Sequence, residues 1–231
     1  MLFCSGCNFR CPFCDNAPLI PADSGGEVDL EMVKGRVLSN IGFLDALGFT
    51  GGEPTLQPEP VVALCEWAKA RELRTFLNTN GSNPRLIGEM LRRKLLDYVA
   101  MDVKAPFNRE VYGRVAGLKG NVDGVIASIR ESIELCGKAG IPMEFRTTIV
   151  PTLIDDEKSI REIAGVVKGR GIYVLQEFFP FEDVVDKRLR RVKPPERGLL
   201  IRLARVALEE GVKEVYIRTR GSGMERVFLD G

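Results

Sequence analysis

Short apolar runs alternate along this chain with longer segments in which apolar residues recur at helical spacing. The runs predict strands over residues 2–4, 47–50, 74–78, 98–103, 143–150, 173–178 and 214–218. The periodic segments predict helices near residues 29–43, 60–71, 84–95, 122–138, 156–168 and 195–210. Because strands that alternate with helices build parallel sheets, the pattern predicts an α/β protein.

Several residues mark the ends of these helices. Asn83 is expected to cap the helix that begins at Pro84, since proline suits a first helical turn. Gly140 and Gly171 each follow a predicted helix and are interpreted as stop signals. These signals support helices of ordinary length between the strands.

The number of strand and helix pairs bears on the architecture. Six such pairs are fewer than a closed eight-fold βα barrel needs. We therefore predict an open, partial βα barrel of about six parallel strands with outer helices, in preference to a doubly wound sheet. Periodicity alone does not separate the two. Residues 1–231 show no repeat or linker and are predicted to form a single domain.

Composition argues against several classes of function. The 33 basic and 32 acidic residues nearly balance, which argues against nucleic acid as a partner. No apolar run is long enough to cross a bilayer and no export signal is evident, so we expect a cytoplasmic protein without a membrane partner. The chain contains no histidine, which removes the commonest general base and every histidine-dependent triad.

Three cysteines, Cys7, Cys11 and Cys14, follow the first predicted strand. Iron-sulfur clusters are held by thiolates, normally four, so a set of three indicates a cluster with one iron unligated by protein. Structural zinc is the main alternative, although zinc favours four ligands, usually as two pairs or with histidine. A disulfide framework is disfavoured because the chain is long and lacks a secretory segment.

The other three cysteines are placed less well for ligation. Cys65 and Cys136 each continue the apolar face of a predicted helix, and both are interpreted as small core residues. Cys4 remains a candidate fourth ligand. It belongs to the apolar run before the cysteine loop, however, and is expected to pack there.

Glycines and polar residues gather where several predicted strands end. Gly51-Gly52-Glu53 follows the second strand, Asn78-Thr79-Asn80 the third, Asp102 and Lys104 the fourth, and Arg146 lies on the fifth. Taken singly, these features have ordinary interpretations: two tight turns, a structural ion pair and an edge arginine with its head group in water. Because βα barrels assemble their active sites on this rim, the coincidence favours a shared site.

The cysteine loop resembles that of the radical S-adenosylmethionine enzymes. Cys7, Cys11 and Cys14 match their CxxxCxxC pattern, with the aromatic Phe13 directly before the third cysteine. Gly51-Gly52-Glu53-Pro54 is similar to their GGE motif after the second strand. Segments 6–12, 78–81 and 97–106 resemble, more narrowly, the glycyl-radical-enzyme activases, and the chain is most similar to the activating protein of anaerobic ribonucleoside-triphosphate reductase.

This resemblance implies a mechanism and a set of site residues. The three cysteines would hold a 4Fe-4S cluster, and no side chain would act as acid or base, because cluster-bound S-adenosylmethionine does the chemistry. The cosubstrate, and possible monovalent cation, would be bound by residues from five strand ends: Phe13, Gly51, Gly52, Glu53, Asn78, Thr79, Asp102, Lys104 and Arg146. Asn78 stands where the pyruvate formate-lyase relative carries an aspartate.

The resemblance also implies partners. The substrate would be a glycine in a glycyl radical enzyme, reached through a wide barrel mouth beside the predicted loops 105–121 and 179–195, and the electron donor would be a flavodoxin or ferredoxin. The basic run 187–193 is interpreted as a solvated loop, with a receiving surface for an acidic donor as the alternative. Activases usually carry a further extended segment before the cysteine loop, so the first strand is expected to be truncated or its start mis-assigned.

Two other functions remain open from the sequence. One is a small-molecule radical enzyme of the 7-carboxy-7-deazaguanine synthase type, which is also compact and carries a GGEP stretch. The other is a non-enzymatic iron-sulfur or zinc-binding protein, which predicts no cleavage of S-adenosylmethionine.

Overall fold

The computed structural model describes residues 1–229 and contains one sheet of eight strands in chain order. The strands are β1 (Leu2–Cys4), β2 (Ala46–Gly51), β3 (Arg74–Thr79), β4 (Tyr98–Asp102), β5 (Met143–Ile149), β6 (Ile172–Glu177), β7 (Val215–Thr219) and β8 (Gly223–Val227). Within the described residues the sheet order runs from β1 to β8, and β7 pairs with β8 in antiparallel fashion. The prediction of an α/β fold with an open, mostly parallel sheet is confirmed.

Seven helices accompany the strands within residues 1–229. They are α1 (Leu30–Leu38), α2 (Pro58–Lys69), α3 (Pro84–Arg92), α4 (Arg109–Val115), α5 (Val122–Ala139), α6 (Glu157–Val167) and α7 (Arg197–Glu209). The cap predicted for α3 is present, because the side chain of Asn83 accepts a hydrogen bond from the Leu86 amide at 3.2 Å. None of the described helices combines the length and the apolar character needed to cross a bilayer.

The chain divides into two compact units, and two of the five boundaries between them fall within β4 and α5. The first unit comprises Met1–Asn8, Pro18–Ala100 and Ser128–Pro142. In it β2 pairs in parallel with both β1 and β3. Strand and helix residues together form its apolar core, which includes Phe49, Val61, Cys65, Leu77, Ile87 and Met90.

The second unit comprises Phe9–Ala17, Met101–Ala127 and the chain from Met143 onwards. Here β6 pairs in parallel with β5 and β7. Apolar residues of these strands are buried together with the inner faces of α6 and α7, among them Phe145, Ile149, Ile160, Leu175, Leu203 and Ile217. The single domain expected for residues 1–231 stays a prediction.

Two elements differ from the sequence prediction. Helix α4 lies inside the segment 105–121 that was expected to be a loop; Asn108 caps it and Tyr112 is fully buried on it. Strand β8 was not predicted, because its central residues are largely polar and form no apolar run. It follows its antiparallel partner β7 after a tight turn. Both elements are too short to show a convincing period.

Gly171 has a different role from the one predicted. Its φ is not positive, and the left-handed residue after α6 is Gly169, with φ of 75°. A Cβ on Gly171 would lie 2.3 Å from the carbonyl oxygen of Met143, so this glycine allows β6 to begin beside β5.

Candidate active site

In the first unit, the start of the cysteine loop is held by main-chain hydrogen bonds. The amide of Gly6 donates to the carbonyl of Leu19 at 2.8 Å, and the amide of Cys7 donates to Ile20 at 3.0 Å. The end of β2 binds the other side, since the Glu53 amide donates to the Gly6 carbonyl at 2.7 Å. Cys7 is thus fixed by backbone contacts, with its side chain half-exposed.

Gly51 and Gly52 are required by the chain itself. A Cβ on Gly52 would lie 2.2 Å from the carbonyl oxygen of Gly6, and one on Gly51 would lie 2.5 Å from that of Cys4. Gly51 also has φ of 108°, a conformation that favours glycine. Both glycines therefore let the end of β2 pass close to β1 and to the start of the cysteine loop.

Glu53 is the polar centre of the first unit. Its carboxylate is fully buried and accepts hydrogen bonds from the hydroxyls of Thr55 at 2.6 Å and Thr79 at 2.8 Å. The amides of Thr55 and Asn80 also donate to it, at 3.1 and 2.6 Å. Burial raises the pKa of Glu53, and the four donors oppose that shift. The side chain ties the end of β2 to the end of β3.

Substitution of Glu53 by glutamine is expected to lower the free energy of unfolding by about 1–3 kcal/mol. A glutamine carries one oxygen, so its NH₂ group would face a buried donor that the carboxylate now accepts. Denaturant unfolding of the metal-free protein measures the loss, with Glu59→Gln on α2 as the matched control. Equal stability of the two variants would contradict this role for Glu53.

The predicted residues Asn78 and Thr79 lie at the end of β3. The Asn78 amide donates to the hydroxyl of Thr50 at 3.1 Å, and Thr79 contacts Glu53. Their neighbour Asn80 donates to the side-chain oxygen of Asn8 at 2.9 Å, directly after Cys7. The end of β3 therefore contacts the cysteine loop through an amide pair, of which only Asn80 belonged to the predicted strand-end group.

The second unit contains the remainder of the loop. Cys11 is buried, with its Sγ 3.7 Å from the carbonyl oxygen of Ala116, and the Cys14 amide donates to the Cys11 carbonyl at 3.1 Å. The carbonyl oxygen of Arg10 packs against Gly117. A Cβ on Gly117 would lie only 1.9 Å from that oxygen. Gly117, with φ of 63°, was missed because segment 105–121 was expected to be a loop, in which a glycine is ordinary.

Asp102 and Lys104 form the ion pair that their spacing predicted, with 2.7 Å between Lys104 Nζ and Asp102 Oδ2. The Lys104 ammonium also lies 5.9 Å from the ring centroid of Phe13. Burial alone would lower the pKa of Lys104, but Asp102, with Cys11 close by, raises it above its ordinary value. The second unit thus brings Phe13, Asp102 and a permanently charged Lys104 together beside Cys11.

Arg146 lies on β5 and is mostly buried, which excludes an edge residue with its head group in water. It pairs with Glu144, two residues earlier on the same face. Glu144 also contacts Arg218 on β7, at 3.1 Å, and Arg218 donates to Gln176 on β6 at 2.9 Å. Glu144 was missed, although opposite charges two apart on a strand are the signal that identified Asp102 and Lys104.

The remaining cysteines have weakly acidic thiols. Cys65 and Cys136 are fully buried, and burial raises the pKa of each to about 12. Cys4 lies in β1, where burial and then the charge of Glu53 raise its pKa to about 11. The prediction that Cys65 and Cys136 are core residues is confirmed.

The family model of the Radical SAM superfamily matches residues 1–164, more than half of the chain. The chain therefore belongs to the radical S-adenosylmethionine superfamily, as the sequence predicted, and it is an enzyme. Membership implies a 4Fe-4S cluster and S-adenosylmethionine as cofactors.

Three relatives indicate which kinds of radical S-adenosylmethionine enzyme the chain resembles. A Methanocaldococcus jannaschii protein, named as a candidate glycyl-radical enzyme activating enzyme, is 34% identical over 95% of this chain and 88% of its own. The pyruvate formate-lyase-activating enzyme of Clostridium pasteurianum is 26% identical, with 93% and 90% covered. The 7-carboxy-7-deazaguanine synthase of Thermococcus kodakarensis is also 26% identical, with 77% and 73% covered.

Among solved structures, a radical SAM methyltransferase from Sphaerobacter thermophilus is similar with a TM-score of 0.71 and 18% identity. The match covers 94% of this chain and 65% of that protein. At this identity the likeness establishes the fold alone.

Proposed function

We propose that this chain is an activase that generates a glycyl radical on a partner enzyme, namely anaerobic ribonucleotide reductase. The observation that carries the proposal is the similarity to the Methanocaldococcus jannaschii protein, whose name describes such an activating enzyme and which matches 95% of the chain. The similarity to pyruvate formate-lyase-activating enzyme over 93% of the chain supports the same class.

The residues of the loop fit a 4Fe-4S cluster held by Cys7, Cys11 and Cys14. Three soft thiol donors lie within eight residues, and the amides of Cys7 and Cys14 are bonded to main-chain carbonyls that order the loop. The chain contains no histidine that could complete a zinc set. When bound, the cluster and S-adenosylmethionine would supply reductive cleavage of the sulfonium bond, and with it a 5'-deoxyadenosyl radical able to remove an α-hydrogen atom from glycine.

The surrounding residues of each unit would bind and orient the cosubstrate. In the first unit, Gly51 and Gly52 offer main-chain carbonyls, and buried Glu53 keeps this segment rigid by holding Thr79 and Asn80. Asn78 and Thr79 would contact the methionyl group. Because Asn78 is neutral, it would bring no formal charge to a monovalent cation.

In the second unit, Lys104 keeps its positive charge and would attract the methionyl carboxylate or the substrate peptide. Main chain beside Phe13 would meet the adenine, and Arg146, oriented by Glu144, would contact the polar part of the cosubstrate. These groups would bind and position the cosubstrate and the substrate peptide. Because the proposed step is removal of a hydrogen atom by a radical, none of them needs to transfer a proton during the reaction.

The proposal predicts a glycyl radical on the partner. The anaerobically reconstituted chain, reduced with dithionite and mixed with S-adenosylmethionine and anaerobic ribonucleotide reductase, is expected to yield the radical's electron paramagnetic resonance doublet. A reductase whose radical-bearing glycine is replaced by alanine should give none. Formation of 5'-deoxyadenosine without any glycyl radical would contradict the proposal and favour a small-molecule enzyme of the synthase type.

A further inference from the structure

A basic segment of the second unit is bonded directly to the cysteine loop. The amide of Asp186 donates to the carbonyl of Pro12 at 2.9 Å, and Pro12 lies between Cys11 and Cys14. Asp186 also caps the 3-10 helix Lys187–Arg191, since its carboxylate accepts from the Arg188 amide at 3.0 Å. The helix is therefore fixed one hydrogen bond away from the proposed cluster ligands.

The geometry of this helix turns its charges outward. Leu189 is buried, and in a 3-10 helix the residues on either side of it point to the two remaining faces. Lys187, Arg190 and Arg191 are all exposed. Arg188 forms three close contacts with Asp186, of 3.0, 3.1 and 2.7 Å, so that pair is neutralised within the segment.

Exposed apolar side chains lie beside these charges. Phe181 is 40% exposed and Val185 39% exposed. The Lys187 ammonium lies 3.4 Å from the carbonyl oxygen of Glu182, the residue that follows Phe181 in the chain. We call the surface of Phe181, Val185, Lys187, Arg190 and Arg191 the basic platform. Glu182 and Asp183 are exposed at its margin and reduce its net charge without cancelling it.

We propose that the basic platform docks an acidic one-electron carrier protein. The inference rests on the proposed function, because the cluster must receive an electron from outside before each cleavage. In the transfer the carrier loses one electron, the cluster gains it, and no bond or proton need move. A short path leads from the platform through Asp186 to the loop that bears Cys11 and Cys14.

Charge complementarity favours this occupant. Electron-transfer partners form small, short-lived complexes, and opposite charges steer their encounter. A modest basic surface with a small apolar centre suits such a complex. The glycyl radical enzyme must instead bring its glycine to the bound cosubstrate. The main-chain hydrogen bond to Pro12 would not help to position that glycine.

The test compares two reductants. In the triple variant Lys187→Glu, Arg190→Glu, Arg191→Glu, reduction of the cluster by photoreduced flavodoxin, followed by stopped-flow absorbance, should slow by about tenfold or more at low salt. The difference should shrink as salt screens the charges. Cleavage of S-adenosylmethionine driven by dithionite should stay within about twofold of wild type, because that small reductant needs no docking.

A matched control separates position from net charge. The variant Lys158→Glu, Arg202→Glu, Lys213→Glu changes the charge equally at exposed sites on α6, on α7 and before β7. It should be reduced by flavodoxin at a rate near that of wild type. If reduction by flavodoxin slows equally in both variants, or slows in neither, the platform is not the docking surface. Glutamine in place of glutamate at 187, 190 and 191 repeats the test should the first variant load iron poorly.

Other outcomes are distinguishable. Normal reduction of the platform variant by flavodoxin, combined with failure to activate the reductase under dithionite, would overturn the proposal and assign the platform to the substrate protein. Absence of dithionite-driven cleavage in the wild-type chain would count against the proposed function itself. In that case flavodoxin reduction of the wild type and the platform variant still decides the docking question.

Discussion

Replacement of Cys7, Cys11 or Cys14 by alanine is expected to abolish both iron retention and formation of 5'-deoxyadenosine. The chain has no histidine to substitute for a lost thiolate. Cys4 is a poor replacement, since its thiol lies in β1 with a pKa of about 11. Iron and sulfide per chain after anaerobic reconstitution, and 5'-deoxyadenosine after reduction by dithionite, measure the two losses.

The buried cysteines are the matched controls for this prediction. Cys65→Ala and Cys136→Ala each remove a buried sulfur atom, and the cavity should cost about 1–2 kcal/mol of unfolding free energy. Both variants should keep their iron and their activity. Equal loss of activity from Cys136→Ala, in a protein that still folds, would overturn the assignment of the three loop cysteines as the cluster ligands.

Alanine at Gly52 is expected to prevent cluster retention although it touches no thiol. The new Cβ would lie 2.2 Å from the Gly6 carbonyl oxygen and 3.0 Å from that of Leu19, and both are main-chain atoms that a rotamer change cannot move aside. The loop carrying Cys7 must shift, at a cost of about 1–3 kcal/mol for overpacking. Denaturant unfolding of the metal-free protein and iron content after reconstitution test the two effects together.

Gly137→Ala is the control for Gly52→Ala. A Cβ at Gly137, within α5, meets no atom within 4 Å, so alanine there should stabilise the helix by about 0.5–1 kcal/mol. Its iron content should match that of the wild type. A Gly52→Ala variant that retains iron as well as Gly137→Ala would show that the contact with Gly6 does not order the loop.

The order of strands and helices could be predicted because hydrophobic period is a local property. Each buried strand from β2 to β7 reads as an apolar run, and the helices between them show the 3.6-residue period. Helix α4 and strand β8 were not predicted, because elements of so few residues show almost no hydrophobic period. Helix α4 is stabilised by the burial of Tyr112, and β8 by its antiparallel pairing with β7.

The sequence predicted many residues of the candidate site, but not the contacts between them. The pairing of Asp102 with Lys104 followed from strand geometry, and the same rule applied to Glu144 and Arg146 would have found the second pair. No local rule shows that Glu53 holds Thr79, or that Gly117 meets Arg10, because residues of widely separated segments must first fold together.

Raised pKa values make three of the six thiols poor nucleophiles and poor metal ligands. Reagents and metal ions react with the thiolate, and at neutral pH Cys4, Cys65 and Cys136 remain almost wholly protonated. These three thiols therefore compete weakly for iron and sulfide during assembly, and for an alkylating agent applied to the native protein. Burial thus contributes to cofactor loading by keeping half of the cysteine thiols chemically silent.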